Sequence, residues 1–217
     1  EKDVIYETHL SIMLQTVAAV IFTIVALFSV VIYFFGVKDA RLLYFALAIF
    51  SLSFISLNAG DEKVLFEYVQ VNYTYLLRFM FFVVLIMFWA ILQTLRNEIN
   101  VFSPIILRIV TVIYVIFVML AVFVPLKWLN YLFMVEFSVI IIQVILVIFA
   151  LLFAKNSIIN ELPISFAIIA IINHVFWVAY MILTGTKTIS YPFDLIIAVI
   201  SFAILWLKNY YQSYQQT

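Results

Sequence analysis

Residues 12–36 read IMLQTVAAVIFTIVALFSVVIYFFG. No charged side chain interrupts the run from Ile12 to Phe35, and Gly36 ends it. The hydrocarbon core of a bilayer takes about 20 apolar residues of helix to cross. This stretch is long enough and apolar enough to do so, and it sets the scale for reading the rest of the chain.

Working outward, the same pattern recurs. Of the 217 residues, 68% are hydrophobic and only 10% charged, leaving too little polar surface to cover a soluble domain. The strong helix breakers sit at the ends of apolar runs: Gly36, Gly60 and Gly185, and Pro104, Pro125, Pro163 and Pro192. Reading between them predicts seven spans: Ile12–Phe35, Leu42–Asn58, Tyr73–Leu95, Pro104–Val124, Leu132–Ala154, Pro163–Leu183 and Pro192–Leu207. Ser103 followed by Pro104 has the form of an N-cap and first helical residue. The connections are short, so successive helices are expected to be antiparallel neighbours. The longest, AGDEKVLFEYVQVN (59–72), has room for a turn of interfacial helix carrying Val64, Leu65, Tyr68 and Val69. The expected fold class is therefore an all-α membrane protein, a seven-transmembrane-helix bundle.

An odd number of spans puts the termini on opposite sides. With the N-terminus outside, the inner side holds Lys38, Arg41, Arg96, Arg108, Lys155 and Lys208, against Lys2, Lys63, Arg78, Lys127 and Lys187 outside. That narrow bias, together with the two basic residues of the loop GVKDAR, favours N-terminus outside and C-terminus cytoplasmic. Residues 1–11 become an extracytoplasmic lead-in, 12–207 the membrane domain and 208–217 a cytoplasmic linker. The first residue is Glu1 rather than Met, as a cleaved signal peptide or a piece of a larger protein would have.

Ionisable residues inside spans are costly and tend to face the bundle interior, where they mark function. Arg78, Glu136 and Asp194 lie in the outer quarter of three different spans, and Asn58 ends a fourth at that level. Residues seven apart share a helix face, which groups Glu136 with Gln143, Asp194 with Ser201 and Asn58 with Ser51. In AIINHVFWVAYM (170–181), Asn173, Trp177 and Tyr180 form one stripe, with His174 beside it. These eight residues, Asn58, Arg78, Glu136, Asn173, His174, Trp177, Tyr180 and Asp194, are the candidate lining of an outward-open vestibule. The alternative is structural: the charges snorkel or pair, and Asn173 and His174 are interhelical hydrogen-bond donors and acceptors.

Other chemistries find little support. There is no Cys and no His-x-x-x-His or Glu-x-x-His spacing, so neither a metal site nor another cofactor is expected. No nucleophile elbow, phosphate loop or convergent acid set is visible, so the segment is not expected to be an enzyme. Zero net charge argues against nucleic acid as a partner. A retinal-binding pigment would need a Lys within the last span, where Lys208 only ends it. The eukaryotic G-protein-coupled pattern is absent: the third span ends Leu95-Arg96-Asn97, and no Asn-Pro-x-x-Tyr occurs in the seventh. A secondary transporter or permease is the serious rival, although no span is broken at its midplane and no repeat is visible.

Two segments suggest a family. VIYFFGVKDARLLYFALAIFSLSFISLNAG (31–60) resembles the first two spans of the bacterial seven-transmembrane receptors with diverse intracellular signalling modules. The stretch from Leu162 to Tyr214 resembles their last two spans, with Asn173-His174 at the place of a polar pair, Pro192 opening the seventh span and LKNYYQSY (207–214) leading onward. The family's pair is often Asn-Asp, so His174 departs from it. The resemblance implies a bacterial plasma-membrane sensor, multi-pass and N-terminus outside, forming a homodimer. It would take its signal from an extracytoplasmic ligand or ligand-binding domain and pass it to a cytoplasmic kinase, cyclase or phosphatase module.

Overall fold

A computed structural model describes residues 2–36, 38–58, 72–95, 104–153, 166, 169–174, 176, 180 and 193–215. Six helices are bounded in full: α1 (Lys2–Phe35), α2 (Ala40–Ser56), α3 (Tyr73–Leu95), α4 (Pro104–Phe123), α5 (Leu126–Phe153) and α6 (Phe193–Gln215). Residues 169–174 are helical too, and no strand occurs among the described residues. Four stretches are long and apolar enough to cross a membrane: His9–Phe35, Tyr73–Leu95, Ile105–Phe123 and Leu126–Val147. The apolar parts of α2 and α6, Ala40–Ser56 and Asp194–Leu205, are shorter.

Contacts fix the helix directions. Tyr44 stacks edge-on against Trp89 at 5.5 Å and Phe54 against Phe79 at 5.7 Å, so α2 and α3 run antiparallel. Trp89 Nε1 donates to Thr111 Oγ1 at 3.1 Å, while Arg78 reaches the far end of α4, making α3 and α4 antiparallel as well. Ala170 packs on Ala198, and Asn173 lies against Asp194, which gives the same relation between the 169–174 helix and α6.

The apolar interior has two main parts. Ala18, Phe22 and Ala26 of α1 meet Phe45, Ala46, Ile49 and Leu52 of α2 and Ile196 and Val199 of α6. Phe81 and Leu85 of α3 meet Tyr114, Phe117 and Ala121 of α4 and Leu129 of α5. Met87 of α3 packs against the first cluster and so joins the two. Small residues such as Ala18, Ala26 and Ala46 let backbones approach closely where apolar burial gives no advantage over lipid. Outward, α4 presents Ile109, Val112, Val115, Ile116 and Met119, each more than half exposed, as a lipid-facing stripe requires.

Helix ends depart from the hydropathic spans in an instructive way. The third span has the same bounds in both, Tyr73–Leu95. α1 begins at Lys2, not Ile12, and α6 runs on past Leu207 to Gln215. α5 begins at Leu126, directly after Pro125, rather than at Leu132. Polar residues there end the apolar run but not the helix, because nothing in KDVIYETHL or KNYYQSYQ breaks a backbone. α2 starts where its cap dictates. Asp39 is extended (φ −96°, ψ 114°) and accepts the Arg41 backbone N–H at 2.9 Å. Its carboxylate also takes Arg41 Nε at 2.8 Å and Nη2 at 2.5 Å. Partial burial pushes the Asp39 carboxyl up, but the Arg41 hydrogen bonds and charge outweigh it and hold the group below its ordinary value. The sixth span is described only in part, and the interfacial turn expected within 59–72 lies largely outside the described residues.

A candidate polar site at one end of the bundle

Tracing the antiparallel path puts the start of α1, the end of α2, the start of α3, the end of α4 and the starts of α5 and α6 at the same end. The candidate residues cluster there, and their contacts divide them into separate groups.

The first group is built on Asp194, in the first turn of α6 and 9% exposed. Its Oδ1 accepts the Leu195 backbone N–H at 2.9 Å. Asn173 Nδ2 donates to Oδ2 at 3.3 Å, and His174 Nδ1 lies 3.1 and 3.2 Å from the two oxygens. An ionised carboxylate can only accept, so with Asp194 ionised the proton of this contact sits on His174 Nδ1. Consecutive residues 173 and 174 both reach one carboxylate because they flank the line of contact with α6, one turn from the close Ala170–Ala198 approach. Ser201, two turns along from Asp194, is buried as well.

The second group surrounds Glu136 on α5, which is 1% exposed. Neither of its carboxyl oxygens has a hydrogen-bond partner among the described residues. Two turns further on, Gln143 is buried on the same face. Tyr114 of α4 donates its hydroxyl to Gln143 Oε1, and Gln143 Nε2 approaches the Phe88 carbonyl of α3 at 3.5 Å. Three helices are thus tied at one depth. Tyr114 carries no sequence signal of this role, being one aromatic among many; only the register of α4 on α5 reveals it.

Arg78 forms the third. Its Nη1 donates to the carbonyls of Ala121 and Val122, the latter at 2.6 Å, and Nη2 to Val124 at 2.8 Å. These are carbonyls that the end of a helix leaves without intrahelical donors, at the negative end of its dipole. Arg78 therefore closes α4 and does not pair with Glu136. Asn58 donates to the Phe54 carbonyl at 3.0 Å and to Met80 Sδ at 3.5 Å, tying α2 to α3. Tyr180 is helical and 41% exposed. Trp177 lies outside the described residues.

Chemically, the first group offers an imidazole held by a carboxylate, suited to proton exchange or to hydrogen-bonding a polar ligand. The second offers a dry carboxyl. No cluster of three or more His, Asp or Glu side chains able to hold a metal occurs among the described residues. Comparison with protein-family models, characterised proteins and solved structures found no match to this chain.

Proposed function

We propose that this chain is the seven-span membrane domain of a bacterial plasma-membrane sensor, with its N-terminus outside. It would relay an extracytoplasmic ligand or outer-domain signal to a cytoplasmic module of the kinase, cyclase or phosphatase class. One observation carries this reading. Asp194, the hub of the polar group, sits in the first turn of α6, and that helix continues unbroken to Gln215. Its 23 residues span roughly 34 Å at about 1.5 Å per residue. A ligand that competes for Asn173 or His174 changes what holds the outer end of a rigid rod whose other end lies across the bundle. Such a ligand shifts a two-state equilibrium by its difference in affinity for the two packings.

The chain has no native Cys, so introduced cysteines report alone. Spin labels at Phe35→Cys on α1 and Tyr211→Cys on α6 stand at exposed positions of the end opposite Asp194. Asp194→Asn should shift the distance distribution between them in lipid nanodiscs. An unchanged distribution overturns the relay.

Glu136 favours a second reading, a proton-coupled transporter or permease, since a buried carboxyl with no partner among the described residues is a common element of proton relays. Substrate or proton flux through the purified chain in liposomes, abolished by Glu136→Gln, would establish it in place of the sensor.

A further inference from the structure

The geometry at the α3–α4 end points to a binding site for a phosphate monoanion of the phospholipid headgroup class, centred on Arg78; we propose it independently of the sensor reading. An open cleft of about 510 Å³ is lined by Asn72, Thr74, Tyr75, Arg78 and Val122. That volume lies within the usual range for small-molecule sites, about 300–1,000 Å³.

Arg78 supplies the charge. A guanidinium has five N–H donors and stays protonated at any accessible pH. Both Nη1 hydrogens and one on Nη2 are taken by the α4 carbonyls. The other Nη2 hydrogen and the Nε hydrogen have no partner among the described residues. With Nη1 turned to the carbonyls, these two form the side-on fork, the pair that grips two oxygens of one anion. Carbonyls are dipoles, so they orient the guanidinium without neutralising it, and no carboxylate lies within ion-pair distance of it among the described residues. Thr74, one turn before Arg78 on the same helix, and Asn72, whose Oδ1 accepts the Thr74 N–H at 3.0 Å, add polar side chains to the lining.

The surroundings select an amphiphile. The cleft opens where two apolar, span-length helices end. Exposed aromatics mark that level: Tyr73 and Tyr75 on α3, Phe123 on α4 and Trp128 and Tyr131 on α5, a belt of the kind found at headgroup depth. Toward the bilayer centre, exposed Phe79, Phe82, Val115 and Met119 offer apolar surface for acyl chains. A phosphate held by Arg78 would thus place its tails along α3 and α4.

Native mass spectrometry of the delipidated full chain in a non-ionic detergent tests this, with phosphatidylglycerol, a diacylglycerol of the same chains, and inorganic phosphate as probes. Phosphatidylglycerol should saturate one site and the diacylglycerol should not. Arg78→Gln should weaken the adduct about tenfold, the loss of a charge-assisted fork. Because Arg78 also closes α4, Thr74→Val serves as the second variant: it leaves every Arg78 contact in place and should still weaken phosphatidylglycerol binding, with the unfolding temperature unchanged. If inorganic phosphate displaces the lipid, the natural ligand is a soluble phosphate compound; if it does not, the ligand is a bilayer lipid. Either result supports the site. Equal binding of diacylglycerol, or wild-type adducts in both variants, overturns it.

Discussion

Asp194 and Glu136 are two buried acids at the same end of one bundle, and they are treated in opposite ways. Asp194, 9% exposed, receives hydrogen bonds from Leu195 and Asn173 and the imidazole of His174. Glu136, 1% exposed, receives none from any described residue. Burial disfavours the charged form of each carboxyl, more so at the deeper Glu136; among the described residues only Asp194 has donors that offset it. The difference separates two roles. An acid wrapped in donors holds helices together, and its removal leaves those donors stranded. An acid with no donor stabilises nothing, and its retention in a span calls for another explanation, such as a proton or a ligand.

The largest effect expected is therefore at Asp194. Asp194→Ala strands Asn173, His174 and the Leu195 N–H together, and should lower unfolding free energy by about 2–3 kcal/mol, as for hydrogen bonds to charged groups. Asp194→Asn keeps one acceptor oxygen and should lose roughly half as much. Unfolding followed by circular dichroism in mixed micelles measures both. A loss at Asp194→Ala no larger than that at Glu136→Met would break the comparison. Next in size, Tyr114→Phe removes the hydroxyl that Gln143 Oε1 accepts and should lower stability by about 1 kcal/mol. This variant sharpens the comparison: it shows how much of the order around Glu136 comes from the Tyr114–Gln143 link rather than from the acid.

Outside the spans, Asp39 supplies a solvated reference acid. Asp39→Ala removes the α2 cap and should cost about 1 kcal/mol. The pH-dependent part is smaller, a few tenths of a kcal/mol, because the Asp39–Arg41 pair is partly screened by water. Its folded-state value is held below the ordinary 3.8, so the folded form binds the proton less readily than the unfolded form. The contribution is whole above about pH 4, fades as pH falls through the lowered value, and vanishes from the pH profile in Asp39→Asn.

What was legible in the sequence follows from what hydropathy measures. The bounds of α3 were readable because turn-rich and charged residues border an apolar run whose one internal charge is Arg78. The starts of α1 and α5 and the end of α6 were not, because hydropathy reports contact with lipid while Pro125 and backbone propensity decide where a helix begins. Asn173, His174 and Asp194 each stood out as polar residues in apolar runs. Their meeting depends on the register of two antiparallel helices 20 residues apart in sequence, set by the Ala170–Ala198 contact. Arg78 was equally visible and its partners were not, since every helix end exposes carbonyls and composition does not say which end will be near. A single vestibule joining all the candidates was an inference from depth and shared helix faces; among the described residues the side-chain contacts that can be traced fall into distinct groups.

The smallest effect is the most diagnostic. Glu136→Met replaces a carboxyl that has no described partner with an apolar side chain of similar length and volume. It removes a desolvation penalty and strands no donor, so stability should change by less than about 0.5 kcal/mol or rise. A protein kept stable in this way can be examined for function directly. If the variant folds as the wild type and loses signalling or flux, Glu136 serves the working cycle, as a site for a proton or a ligand. A loss of stability above about 2 kcal/mol would show that Glu136 has a strong partner after all, and its contrast with Asp194 would disappear.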